Sequence, residues 1–167
     1  MIDSRSQRRR VNLGGVAAVI GLLGYAYFAE FVQGYEPCPL CIFQRVEMFG
    51  LGVVLLIAGL HGPKGAGARF YAALGVVVAG LGVATAGRHV YLQNLPKDQV
   101  PQCGPGLDYI FDAFPVTDAV RMIFTGSGEC ADINWAFLGL SMPTWVLLWF
   151  VLLGALAVVA NWARLAH

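Results

Sequence analysis

The sequence predicts an all-α membrane protein: a bundle of four transmembrane helices with a short interfacial helix inside one long external loop. Three observations carry this. More than half of the 167 residues are apolar and only 13% are charged, which is not the profile of a soluble domain. Four apolar runs, 11–32, 42–60, 70–92 and 143–162, have the length of about 20 residues that a helix needs to cross a bilayer. The few charges are sorted between the connecting segments, as they are in a polytopic chain. A single membrane domain over 1–167 accounts for the whole, with external segments at 33–41 and 93–142.

The first run follows a basic segment, yet it is long for a signal-peptide core and three further spans follow, so it reads as a retained anchor. Gly14, Ala18, Gly21 and Gly24 are small residues of the kind that let backbones approach in lipid, and they predict its packing face. Tyr25, Tyr27 and Phe28 form an aromatic belt at its outer end. Arg5, Arg8, Arg9 and Arg10 precede this span, Lys64 and Arg69 lie after the second, and Arg164 follows the fourth. Carboxylates dominate the other side: Glu36, Asp98, Asp108, Asp112, Asp118, Glu129 and Asp132. The positive-inside rule then puts both termini in the cytoplasm and all four cysteines at the external face, where disulfides persist. The arginines are too few and too closely tied to helix ends for nucleic-acid binding.

The second run opens on Cys38-Pro39-Leu40-Cys41-Ile42-Phe43-Gln44-Arg45. Pro37 and Pro39 suit a helix entrance but not its interior, so the dithiol sits at the helix start. There the dipole and the unsatisfied backbone N–H groups favour thiolate over thiol. Arg45 lies four residues after Cys41, on the same helix face, which marks Cys41 as the low-pKa thiol. A disulfide between cysteines so close in sequence closes a tiny loop and stabilises little, which favours a redox or metal pair over a staple. Arg45 is also placed to reach lipid headgroups. Glu47 points about 200° away from Arg45 around the helix, and its expected partner is Arg88 on the third span.

Breakers at His61-Gly62-Pro63-Lys64-Gly65 separate the second and third helices. Gly75, Gly80, Gly82 and Ala86 predict a packing face on the third, and Arg88 and His89 come at about the depth of the dithiol. Such a histidine is either an interfacial hydrogen-bonder or a participant in thiol chemistry. The external segment 93–142 is too long for a simple connector. It carries Cys103, among Pro101, Gly104, Pro105 and Gly106, and Cys130. Leu107, Ile110, Phe111 and Phe114 recur at helical spacing, and Thr117 or Asp118 is placed to cap a second short helix through Val120 to Phe124. These segments suit the membrane surface, a globular lid being the alternative. Ser141-Met142-Pro143 reads as cap and first turn of the last helix, with Trp135, Trp145 and Trp149 on its approach.

No zinc-spaced Cys/His cluster, phosphate-binding glycine loop or serine triad is evident, and no metal is expected. Four external cysteines allow three full pairings. Chemistry favours Cys38 with Cys41, rigid beside a cation, and Cys103 with Cys130, on an accessible loop. Two such pairs form a relay by thiol–disulfide exchange toward the bilayer. Its terminal acceptor must be lipid-soluble, since no haem, flavin or iron–sulfur signature is present.

At these residues the chain resembles the disulfide bond formation protein B (DsbB) family of bacterial inner-membrane thiol–quinone oxidoreductases. The resemblance covers nearly the whole chain. Its most specific block is Gly126-Ser127-Gly128-Glu129-Cys130-Ala131, followed by Trp135-Ala136-Phe137-Leu138-Gly139-Leu140-Ser141-Met142-Pro143. It implies that the protein reoxidises a periplasmic DsbA-like thiol oxidase and passes the electrons to ubiquinone or menaquinone. By this resemblance Cys103 forms the mixed disulfide with the partner, Cys130 is released to attack Cys38, and Cys41 is left as the thiolate facing quinone. Arg45 matches the arginine that stabilises that state, and His89 matches a histidine near the ring. Gln44 stands where some members carry an acidic residue, and Glu47 where an apolar one is expected, which bears on the charge balance around Arg45.

Competing readings are a structural tetraspan protein with stapled outer loops, a vitamin K epoxide reductase-like enzyme, and a DsbB sibling with a dedicated partner. In the second the dithiol follows the loop cysteines, whereas here it precedes them.

Overall fold

A computed structural model describes residues 4–96, 98–100, 109, 112–126 and 128–162. Helix α1 covers Ser4–Phe31, α2 Pro39–His61, α3 Ala66–Gln93, α4 Val116–Thr125 and α5 Met142–Asn161, with a 3₁₀ turn at Gly128–Ala131. Helices α1, α2, α3 and α5 are long and apolar enough to cross a membrane. The expected spans are therefore all present, but α1 begins well before residue 11. Its arginine-rich start is a good helix former and simply continues the helix.

α1 packs on α2 and α5, and α3 packs on α2 and α5, closing a ring of four helices. Lipid offers little hydrophobic drive between apolar helices, so close approach through small residues decides the contacts. On α3 the expectation holds at Gly75 and Gly82. A methyl at Gly75 would lie 2.8 Å from the Ala157 Cβ, and one at Gly82 would collide with the Phe150 ring. Phe150 itself is fully buried in that notch. Gly80 instead faces open space.

On α1 the expected face is corrected. Gly14, Gly21 and Gly24 meet nothing, while a Cβ on Gly15 would lie 2.9 Å from Leu55 and 3.2 Å from Leu156. Asn12, Gly15, Val19 and Ala29 form the buried stripe, one step round the helix from the expected one. At the amino-terminal end of this stripe Asn12 and Asn161 exchange two amide hydrogen bonds, 3.1 and 3.0 Å, joining α1 to α5. Outward-facing Ile20, Phe31, Val46 and Phe70 are large, apolar and exposed, as lipid-facing side chains should be.

Above the bundle, α4 starts at Val116 with Pro115 at its cap position, so neither Thr117 nor Asp118 is the cap. Leu107, Ile110 and Phe111, together with Cys103 and its surrounding prolines and glycines, lie outside the described residues. A two-residue ribbon pairs Ala136–Phe137 (β1) with Leu140–Ser141 (β2) in antiparallel register. Leu138 and Gly139 both have positive φ, 52° and 78°, which is the twist of a tight primed hairpin turn. The Trp145 indole N–H donates to the Phe137 carbonyl at 3.1 Å and ties the ribbon to α5. Ser141 occupies the cap position of α5, but its hydroxyl donates to Gln93 Oε1 at 2.6 Å and so binds the end of α3.

Candidate functional site: a thiol cluster beside an apolar cavity

Pro39 occupies the first turn of α2 and Cys38 is its N-cap, with extended backbone at φ −69°, ψ 164°. The expected placement of the dithiol at the helix entrance is met. The Cys38 and Cys41 sulfurs stand 3.2 Å apart, well beyond the roughly 2.05 Å of a bonded pair, so both are thiol-state groups here. Cys38 is the donor in this contact.

Two other elements converge on Cys38. From α3, His89 Nε2 lies 3.7 Å from the Cys38 sulfur. From the 3₁₀ turn, the Cys130 sulfur comes within 4.8 Å of both the Cys38 sulfur and the His89 ring. All three side chains are buried, Cys130 completely. Contact with Cys130, then with Cys41, and burial itself push the Cys38 thiol above its ordinary pKa. Cys38, Cys130 and His89 are also of the type and proximity that could hold a thiophilic metal ion, a grouping that linear spacing concealed.

Gln44, one turn inside α2 from Cys41, donates its amide N–H to His89 Nδ1 at 3.1 Å. Since Nδ1 accepts, the ring proton of neutral His89 resides on Nε2, which faces Cys38. Gln44 is the residue whose importance the sequence least revealed. It registered only as an amide in place of an acid.

Arg45 borders the same cavity as Cys41. Its guanidinium forms an ion pair with Glu30 of α1, donates to the Ala26 carbonyl at 3.2 Å and sits 5.1 Å over the Tyr27 ring. Among the described residues its hydrogen bonds go to α1 alone. Glu30 was not singled out in the sequence, where it is one carboxylate near the outer end of the first span.

The expected Glu47–Arg88 pair does not form. Glu47 accepts from the Thr85 hydroxyl at 2.7 Å. Arg88 donates instead to the backbone carbonyls of Phe124 and Thr125. Thr85 lies almost a turn deeper on α3, within reach of Glu47. Arg88, nearer the outer end, meets the unpaired carbonyls and negative dipole end of α4, a ready partner for a cation.

A cavity of about 270 Å³ opens beside the cluster. Leu22, Ala26, Met48, Val146, Trp145 and Trp149 give it apolar and aromatic walls, and Cys41, Gln44, Arg45 and His89 also line it, as do the carboxylates Glu30, Glu36, Glu129 and Asp132. Apolar walls with a few placed polar groups are what a small flat organic molecule requires.

The model of the family described as Disulfide bond formation protein DsbB matches residues 8–160. The chain belongs to that family. It is 50% identical over 137 residues to a Disulfide bond formation protein B of Nitrosococcus oceani, covering 82% of this chain and 81% of the relative. To the protein of the same description from Acinetobacter baumannii it is 52% identical over 139 residues, 83% and 81% of the two chains. With that of Azoarcus sp. it shares 44% identity over 162 residues, 97% and 95% of the two. Membership and the apolar helices together make this a multi-pass membrane protein of the disulfide-forming, oxidoreductase class.

Proposed function

We propose that the protein reoxidises a periplasmic, DsbA-like dithiol oxidase by thiol–disulfide exchange and delivers the electron pair to a membrane quinone, ubiquinone or menaquinone. The observation that carries this reading is that Cys38 and Cys41 line one apolar cavity while the Cys130 sulfur lies within 4.8 Å of the Cys38 sulfur. The basic residues 5, 8, 9 and 10 and the 62–65 loop lie at the opposite end of the bundle from Cys38, Cys41 and Cys130, which supports cytoplasmic termini and a periplasmic thiol cluster.

In the proposed cycle the partner's thiolate attacks a Cys103–Cys130 disulfide at Cys103, forming the mixed disulfide and releasing Cys130 with the bonding electron pair. Cys130 then attacks Cys38 of a Cys38–Cys41 disulfide; the bond between 38 and 41 breaks, and the pair departs on Cys41. Cys41 is the natural resting place for that charge. It accepts from Cys38 at 3.2 Å, lies at the amino end of α2, and shares the cavity with the Arg45 cation. His89, with its proton on Nε2, steadies sulfur charge at Cys38 during exchange.

The residues present fit a quinone. The cavity has a hydrophobic, tryptophan-lined body, and its lining holds hydrogen-bond donors for carbonyl oxygens in Arg45 and Gln44, with His89 beside them. When bound, such a ring supplies a two-electron, two-proton acceptor beyond the protein's own disulfides. Arg45 and Trp145 would hold it, and the apolar walls would keep water from Cys41. The test is to supply purified protein with a reduced DsbA-like partner and a soluble ubiquinone or menaquinone analogue. One partner disulfide should appear per quinone consumed. Inert disulfides and no quinone loss would leave only a structural tetraspan protein.

A further inference from the structure

We infer that Arg88 is a positioning residue: by clamping the carboxyl end of α4 to α3, it holds Cys130 against Cys38. The inference rests on the proposed exchange between those two cysteines and names what makes it fast. Arg88 Nε donates to the Phe124 carbonyl at 3.1 Å and Nη2 to the Thr125 carbonyl at 2.9 Å. These are the last carbonyls of a helix, lacking intrahelical partners and carrying the negative end of its dipole. The guanidinium plane is backed by Tyr91, 5.2 Å from the ring centroid. A fork of two parallel donors is a feature of arginine that lysine cannot reproduce.

Immediately beyond the clamp the chain turns sharply. Gly126 has φ +86° and presses on Leu92 so closely that a Cβ would clash with that side chain. Its N–H returns to the Ile123 carbonyl at 3.0 Å. The 3₁₀ turn Gly128–Ala131 follows and delivers Cys130 into the buried cluster of Cys38, Leu40, Leu92 and Ile123. Arg88 and His89 are consecutive on α3, so one helical turn carries both the ring facing Cys38 and the anchor of the segment that brings Cys130 to it. Ile123 and the Phe43–Phe124 ring contact hold α4 on the bundle by apolar packing. The charged fork fixes its end.

The test uses the full chain and needs no quinone. In a Cys41→Ser, Cys103→Ser protein only Cys38 and Cys130 can pair. Their effective concentration is read by equilibration in glutathione buffers, acid quench and mass spectrometry. Arg88→Ala and Arg88→Lys should each lower it about tenfold, as expected for loss of a charge-assisted clamp. Gly126→Ala, which undocks the same turn with Arg88 intact, should do likewise. The Cys38–Cys41 pair, measured in a Cys103→Ser, Cys130→Ser protein, should keep its effective concentration in every one of these variants. An unchanged Cys38–Cys130 value without Arg88 overturns the clamp, and so does an equal fall in both pairs. If Cys38 and Cys130 never pair with Arg88 intact, the exchange reading itself fails and takes the clamp with it.

Discussion

Gln44 donates to Nδ1 of His89 across the α2–α3 interface at 3.1 Å, and so turns the Nε2 side of the ring, with its proton, toward Cys38. A single buried hydrogen bond of about 0.5–1.5 kcal/mol sets a tautomer ratio of roughly two- to tenfold. Gln44→Leu should therefore convert His89 from a mainly Nε2–H ring into a mixture of tautomers. Imidazole ¹⁵N–¹H correlation spectra of the reduced protein in detergent read this directly. A ring that stays wholly Nε2–H in the variant would remove Gln44 from the account.

Cys38 should be the last of the cluster's thiols to react with iodoacetamide. Its contacts with Cys130 and Cys41 and its burial raise its pKa, so at pH 7 to 8 it remains the neutral, poorly nucleophilic thiol. The sign is fixed by that direction: reactivity at Cys38 rises only as pH climbs well past the ordinary thiol range. Cys130→Ala removes the largest cause and should bring the onset to lower pH, visible in a time course of alkylation resolved by peptide mass spectrometry.

The Arg45–Glu30 pair is only partly exposed, 17% and 24% at the two side chains, so removing one member strands a charge in a poorly solvated place. Arg45→Met should lower the thermal midpoint in detergent more than Arg45→Met combined with Glu30→Gln, with a coupling of about 1–2 kcal/mol. Arg45→His should also raise the quinone concentration needed for half-maximal rate. Unchanged quinone dependence would detach Arg45 from the cavity's function.

Gly82 and Gly80 look alike in the sequence, yet a side chain at Gly82 meets the Phe150 ring while Gly80 faces open space. Gly82→Val should cost about 1–3 kcal/mol or prevent folding through overpacking. Gly80→Ala should be neutral or gain up to about 1 kcal/mol from helix propensity. Thermal unfolding of the two variants side by side separates them.

That contrast shows where the sequence stops being legible. The spans could be read because length and apolarity alone satisfy a bilayer, and the dithiol's place could be read because Pro39 is tolerated only in a helix's first turn. Faces could not. An apolar helix in lipid shows no polar side to mark its exterior, so the buried stripe of α1 ran through Gly15 and Val19 and not through Gly14 and Gly21. Cross-helix partners were equally hidden. Glu30 reaching Arg45, Gln44 reaching His89 and the mutual Asn12–Asn161 bonds depend on rotations and offsets that spacing within one helix does not encode. Arg88 stands out as a cation, but its acceptors, the carbonyls of α4, are backbone and leave no trace in composition, so the sequence offers only Glu47 as its partner.

The most direct measurement is the rate of quinone reduction by purified Cys41→Ser protein supplied with reduced partner. The account predicts that quinone consumption stops, because without Cys41 there is no disulfide at Cys38 for Cys130 to attack and no thiolate is released at the cavity. Quinone reduction at the unaltered rate in that variant would contradict it.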